Sequence, residues 1–225
     1  IDFGVGDPTS PTPEFVRQAA ARALEERKSS GYPSYVGAKG FRQALAAWTE
    51  RRYGVSLDPE TEISSTVGSK EAVFNFHEGV VDAGDVVLCP SPGYPPYTRG
   101  ALFAEATPYQ LPLAKDNGFL VDFAAIPEKI ARKAKVLWLN YPHSPSGALA
   151  DEAFYRRALD FARAHDIIVA SDEAYSEIYF GEPPISILNL TRKGVLVFNS
   201  MSKRSAMTGY RVGWVAGDPE LVAIF

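Results

Sequence analysis

A single cysteine, Cys89, leaves the chain without a pair from which to build an intrachain disulfide. Stapled small-domain architectures are therefore excluded, and stability must come from a buried core. No apolar run approaches the ~20 residues that a membrane-spanning helix needs. Neither sign of charge dominates: 23 Lys and Arg stand against 27 Asp and Glu, a formal net charge of -4. That balance argues against a surface given over to nucleic acid or to anionic membrane. The opening "IDFGVGDPTSPTP" is rich in Gly and Pro and has no basic n-region, so it does not read as a secretory signal. Both common nucleotide fingerprints, GxxxxGK[ST] and GxGxxG, are missing. There is no internal repeat and no low-complexity segment. These features together fit a reducing cytoplasm. Two of the three histidines read as ordinary residues: His77 packed or capping, His165 solvated at a helix end. No metal site is expected.

What is present is an ordinary globular composition, 46% hydrophobic and 22% charged over 225 residues, enough for one large core. Short continuous apolar runs, "AKVLWLNYP", "DIIVASDEAY" and "GVLVFNSMSK", read as strands covered on both faces. Further strands are expected in "IDFGVG", "TEISS", "DVVLCP", "ATPYQLPL" and "RVGWVAG"; "DVVLCP" runs on into the Pro-rich loop "SPGYPPY", and Lys39 in "VGAKG" reads as a loop lysine. Helical spacing marks "EFVRQAAARALEERK" behind Pro13, "FRQALAAWTERRYG" with Gly54 as C-cap, the stretch after Gly68, and "DEAFYRRALDFARAH". Strands alternating with helices predict an α/β fold with a mostly parallel, mixed sheet and helices on both faces. Right-handed crossovers then gather the strand C-terminal ends on one edge, where such folds bind ligands. That edge collects residues 90–97, 140–147, 172–175 and 200–203.

Each chemical candidate on that edge has a plain alternative. Gly68 and Ser69 before a helix starting near Lys70 suit an anion, because the first N–H groups of a helix are free, but a simple tight turn reads equally well. Asp172, at the mouth of a buried strand, calls for a cation; it also reads as an N-cap. Tyr175 reaches the same side if the segment turns helically, or packs half-buried. Lys203 at a strand end is a nucleophile if desolvated and an ordinary loop lysine if not. Ser200 and Arg211 suit a phosphate, and Tyr94 offers a flat face. Taken together they specify one ligand: a phosphate, a ring nitrogen wanting a carboxylate, and an aldehyde wanting an amine. That ligand is pyridoxal 5'-phosphate.

The chain resembles the class I/II aminotransferases, pyridoxal phosphate enzymes of fold type I, in their aspartate and diaminopimelate branch. Seven motifs run in family order: "GVGDPTSPTP", "GYPSYVGAKGFRQAL", "GSKEA", "PSPGYPPY", "NYPHSPSGA", "SDEAY", and "SMSK" followed by "MTGYRVGW". The resemblance implies that Lys203 forms the Schiff base with the cofactor. It implies Asp172 on the pyridine nitrogen, Tyr175 on the 3-oxygen, and Tyr94 stacked on the ring. Gly68, Ser69, Lys70, Ser200 and Arg211 are implied around the phosphate, and Gly6 near the substrate carboxylate. Tyr32 is implied to reach the phosphate of a partner subunit, which makes a homodimer. One departure stands out. Where the family has Asn-Pro-Thr-Gly this chain has "SPSG", so Ser144 replaces the asparagine that donates to the 3-oxygen. His143 or a water is a candidate substitute.

The implied activity moves an amino group between an amino acid and a 2-oxo acid by a ping-pong route through Lys203. Two other readings share the scaffold: a C–S lyase, and a non-catalytic cofactor-binding sensor of a transcription regulator. Residues 1–13 are expected to belong to a small domain and 14–225 to the cofactor-binding large domain. The end inside "DPELVAIF", at the start of a helix, leads us to expect a chain without its C-terminal small domain and the carboxylate-binding arginine carried there.

Overall fold

The central strands form because their sequences are apolar on both faces. In the computed structural model, which describes residues 6–29 and 31–225, Val136, Leu137, Trp138 and Leu139 are all fully buried. Val136 and Trp138 point into one core layer, and Leu137 and Leu139 into the other, the period-2 alternation of a strand with helices on both sides. In chain order the elements are α1 (Glu14–Glu26), α2 (Lys39–Tyr53), β1 (Ile63–Thr66), α3 (Ser69–Val80), β2 (Val86–Ser91), α4 (Pro95–Phe103), β3 (Thr107–Pro112) and α5 (Glu128–Ala131). They continue with β4 (Ala134–Asn140), α6 (Glu152–His165), β5 (Ile168–Asp172), β6 (Val195–Ser200), α7 (Met201–Arg204), β7 (Gly213–Gly217) and α8 (Pro219–Val222). The strand expected in "IDFGVG" falls almost wholly on residues 1–5, outside the described residues.

The helices are set by local chemistry. Asp151 caps α6 by accepting from the Phe154 amide at 2.7 Å, and Asp166 closes it in the left-handed conformation. Phe154, Tyr155, Ala158, Leu159 and Ala162 form its buried stripe. Gly54, at φ 68°, is the C-cap of α2. Two sequence expectations need correcting. The segment after "PSPG" is not only a Pro-rich loop: Pro95 and Pro96 open α4, because proline fixes a helical φ where no N–H is needed. Lys39 is not a loop lysine but the first residue of α2, paired with Glu60 at 3.3 Å.

Seven strands make one sheet in the order β1-β7-β6-β5-β4-β2-β3. Only β7 runs against its neighbours, β1 and β6; the other pairs are parallel. The chain moves outward from β2 to β3 and then crosses back to β4, so the order reverses between β2 and β4, where open α/β sheets leave a crevice. One layer packs residues such as Leu45, Phe154, Ala158 and Trp214, and the other Val73, Phe76, Tyr97 and Phe198. The register fixes which residues end up side by side. Asn140 lies beside Asp172, Asp172 beside Phe198, and Ser200 beside Gly213, which also faces Thr66. Because β7 is reversed, the residues before it, Arg211 among them, sit on the edge where the parallel strands end.

No helix of the described residues is long and apolar enough to cross a membrane. Leu137 is the test of this core. Leu137→Ala leaves a cavity in a layer with no room to collapse, and should lower unfolding free energy by about 2–5 kcal/mol in urea titrations.

Candidate active site

The edge begins with a cup suited to an anion. Gly68, at φ 76°, turns the chain from β1 into α3 in a conformation that side chains rarely adopt, with the Arg211 guanidinium lying against it. Gly213 faces the same turn: an added Cβ would stand 2.7 Å from the Ser69 nitrogen and 2.8 Å from the Gly68 carbonyl carbon. The two glycines thus let three backbone segments close to van der Waals contact around the free N–H groups at the start of α3. Ser200 caps α7, its Oγ accepting from the Ser202 amide at 3.0 Å, while its own amide donates to Asn199 Oδ1 at 2.8 Å. Arg211 is exposed, holds a left-handed backbone at φ 55°, and donates through Nη1 to the Thr208 carbonyl at 2.7 Å. Lys70, the second residue of α3, is exposed.

Beside the cup lies the carboxylate. Asp172 ends β5, 5% exposed, and burial pushes its carboxyl above the usual range. Two donors oppose that: the Tyr97 hydroxyl on Oδ2 at 2.7 Å and the Ala174 amide on Oδ1 at 3.2 Å. The amide contact is an Asx turn and not a helix cap, because only a turn follows Asp172, and no cation is among the partners of this carboxylate in the described residues. Tyr175 follows in the turn, half-buried. Tyr94, N-cap of α4, is half-buried with its phenol pushed up, first by burial and then by Asp172 and Tyr175. Lys203 is half-buried in the single turn of α7, and its Nζ donates to the Gly6 carbonyl, so these two candidates meet.

The departure at Ser144 has a structural answer for His143. His143 is 3% exposed and both its ring nitrogens are engaged, Nδ1 with Ser146 Oγ at 2.7 Å and Nε2 with the Pro92 carbonyl at 3.1 Å. A carbonyl accepts only, so Nε2 carries the proton and Nδ1 accepts from the serine. Burial holds the imidazole below its usual pKa. With both nitrogens committed, His143 is a buried anchor of the 142–147 loop and does not stand in for the missing asparagine. Ser144 itself is tied through its amide to Asn140 Oδ1 at 3.0 Å. It lines a cleft of about 410 Å³ with Tyr175, Leu149 and Ile178. Tyr32 lies apart, fully exposed.

Three residues of this edge escape sequence reasoning. Asn140, 2% exposed, donates to the Asp172 carbonyl at 2.9 Å and so links the ends of β4 and β5 to the Ser144 loop. Tyr97 follows Tyr94 by three residues at a helix start, a spacing that puts both rings on one side. Glu173, 1% exposed, receives Ser171 Oγ, Ser186 Oγ and the Ile187 amide on Oε1, each at 3.1 Å. A Glu directly after a strand-end Asp is the signal that was present and unread.

The residues fit the group the resemblance implies: a buried carboxylate lacking a cation, a cup of free N–H groups roofed by a guanidinium, and an amine on the same edge. As a fold, this is a doubly covered, mostly parallel α/β sheet with its polar residues gathered along the edge where the parallel strands end. The family model described as aminotransferase class I and II matches residues 1–225, and the chain belongs to that family. It is 49% identical over 226 residues to an LL-diaminopimelate aminotransferase of Aquifex aeolicus, covering 99% of this chain and 58% of that protein. It is 47% identical over 221 residues to another of Desulforudis audaxviator, covering 97% and 56% respectively. The substrate-bound BacF structure from Bacillus subtilis superimposes with a TM-score of 0.96 at 35% identity, covering all of this chain and 57% of that one. The chain thus spans a little over half the length of the relatives it matches.

Glu173 gives a pH test. Burial raises its carboxyl from 4.5 to about 7, against the three hydrogen bonds. Between those values the folded state holds a proton that the unfolded state has released, so stability falls as pH rises through the window. The loss is on the order of 3 kcal/mol between pH 4.5 and 7. Glu173→Gln should flatten that part of the pH–stability curve measured by urea titration; an unchanged slope would place its origin elsewhere.

Proposed function

We propose that the whole protein is a pyridoxal phosphate-dependent aminotransferase acting as a homodimer, and that this chain supplies most of its cofactor site. The observation that carries the reading is Asp172: a buried carboxylate at a strand end, with no cation beside it among the described residues, opposite Phe198 and so two residues before the Ser200 of the anion cup. When bound, the cofactor supplies an aldehyde for the amine and a ring that accepts the electrons of a substrate Cα–H bond.

The chain's own residues divide the remaining work. Ser69, Ser200, Arg211 and the α3 N-terminus hold the phosphate, with the helix dipole adding to the guanidinium. Asp172 keeps the ring nitrogen protonated, which in turn returns its own buried charge to a favourable setting. Tyr94 would lie against the ring, and Tyr175 would donate to the 3-oxygen, with only Ser144 where the family has asparagine. Lys203 would hold the cofactor aldehyde and would serve as the base and acid at the substrate α-carbon. Tyr32, exposed on a polar loop, extends toward a second subunit.

LL-diaminopimelate is the amino donor to try first with 2-oxoglutarate, because relatives at 42–49% identity carry that name. The C–S lyase and sensor readings draw no support from these relatives. In the full-length protein, borohydride should fix the cofactor to Lys203 and nowhere else. Lys203→Ala should abolish that labelling and reduce turnover by several orders of magnitude. Arg211→Ala should instead weaken cofactor affinity roughly tenfold or more before it touches turnover, as expected for a lost charge-assisted contact. Labelling at Lys39 or Lys70 would refute the assignment.

A further inference from the structure

Behind Asp172 runs a buried chain of side chains that the cofactor site proposed above does not include. Tyr97 is 1% exposed and donates its hydroxyl proton to Asp172 Oδ2 at 2.7 Å. Its ring stacks on Trp138, centroids 4.7 Å apart and planes 18° from parallel. Trp138 Nε1 in turn meets His77 Nε2 at 2.9 Å, and His77 Nδ1 meets the Phe74 carbonyl at 3.1 Å.

The direction of this chain is fixed by chemistry. An indole N–H donates only, so His77 Nε2 accepts, the histidine proton is on Nδ1, and it goes to the carbonyl. Protonating His77 would set two donors against each other, and burial already holds its pKa low. The Cα of Gly100 packs so closely on the histidine that a Cβ there would overlap Nδ1 and the Phe74 carbonyl. The indole plane is thereby locked from behind, and the phenol lying on it has little freedom to leave Asp172.

We propose that Tyr97 is a positioning residue: held by Trp138 and His77, its hydroxyl keeps Asp172 ionised and presents the carboxylate toward the cofactor ring nitrogen. The proposal rests on the aminotransferase reading of Asp172. The other groups facing this carboxylate are Tyr94 from the start of α4, Glu173 and Tyr175 from its own turn, and Asn140 from β4, which bonds the backbone carbonyl. The Ala174 amide occupies Oδ1, leaving Tyr97 as the only side-chain donor to the carboxylate among the described residues.

The test compares binding of pyridoxal phosphate with binding of its analogue in which the ring nitrogen is replaced by carbon, using full-length apoprotein. The wild type should prefer the nitrogen-bearing ring. Tyr97→Phe removes one oxygen and should reduce that preference roughly tenfold or more, the scale of one hydrogen bond to a charged group, while leaving affinity for the carbon analogue unchanged. A packing role alone would weaken both ligands equally and overturn the proposal, as would an unchanged preference. Asp172→Asn separates the two levels of the argument. If it keeps the wild-type preference, the reading of Asp172 itself fails; if it loses the preference and Tyr97→Phe does not, only the role of Tyr97 fails. Near-UV circular dichroism checks the fold of each variant. Should Tyr97→Phe not fold, Trp138→Phe decides: it keeps the hydroxyl, frees its anchor, and should lower the preference in the same direction, with no change counting against the proposal.

Discussion

Everything at this edge depends on one close approach, that of Gly213 to the turn between β1 and α3. β7 is the reversed strand between two parallel neighbours, and Gly213 is the residue it shares with both, opposite Ser200 on one side and Thr66 on the other. A side chain there would meet backbone on three sides, the Ser69 nitrogen, the Gly68 carbon and the Asn199 oxygen, none of which can step aside. With glycine in place the turn closes, the α3 amides point into the edge, and Arg211, two residues upstream, is carried over Gly68. The anion cup is thus a product of sheet register as much as of its polar residues.

Two adjacent carboxyls, Asp172 and Glu173, are both raised by burial but differ in what they face. Glu173 turns toward Ser171, Ser186 and the 187 amide, and its oxygen is saturated by protein donors. Asp172 faces the edge with one phenol and one amide, too little to offset its burial. The strand's alternation sends the two side chains to opposite faces, so one serves to pin the turn to the segment at 186–189 and the other stays available for a cation. A buried charge short of partners is costly, and such a cost is tolerated where a ligand offsets it.

The fold was largely legible because its strongest signals are local. Continuous apolar runs gave the central strands, helical spacing and caps gave α2 and α6, and ordered motifs gave the family. What escaped is non-local or masked by composition. α4 was hidden by prolines that usually mark loops but here occupy its first turn. Tyr97 and Asn140 carry no motif of their own; their importance arises from partners 75 and 32 residues away, which sequence spacing cannot reveal. His77 read as a packed histidine, which it is, yet its partner Trp138 could be found only once α3 was laid against β4. His143 was offered as a substitute donor at a position where it is fully committed to Ser146 and Pro92, because sequence shows proximity along the chain and not which lone pairs are taken.

The N-terminal side of the molecule poses a different balance. α1 has 13 residues and buries none of them, and Phe15 and Leu24 are about three-quarters exposed. Tyr32 and Tyr35, on the loop that follows, are fully exposed. An isolated helix of that length is marginal in water, and most helical stability comes from packing an apolar face. Two phenol rings and two large apolar side chains left in solvent offer several hundred Å² to whatever covers them. The site shares this open side, since Lys203 already reaches Gly6, the first described residue of the same segment. Contacts from beyond this chain, whether the remainder of the protein or a second copy, would therefore stabilise α1 and enclose the amine in one step. On the homodimer proposed above, that coupling would tie Tyr32 and Lys203 to one and the same interface.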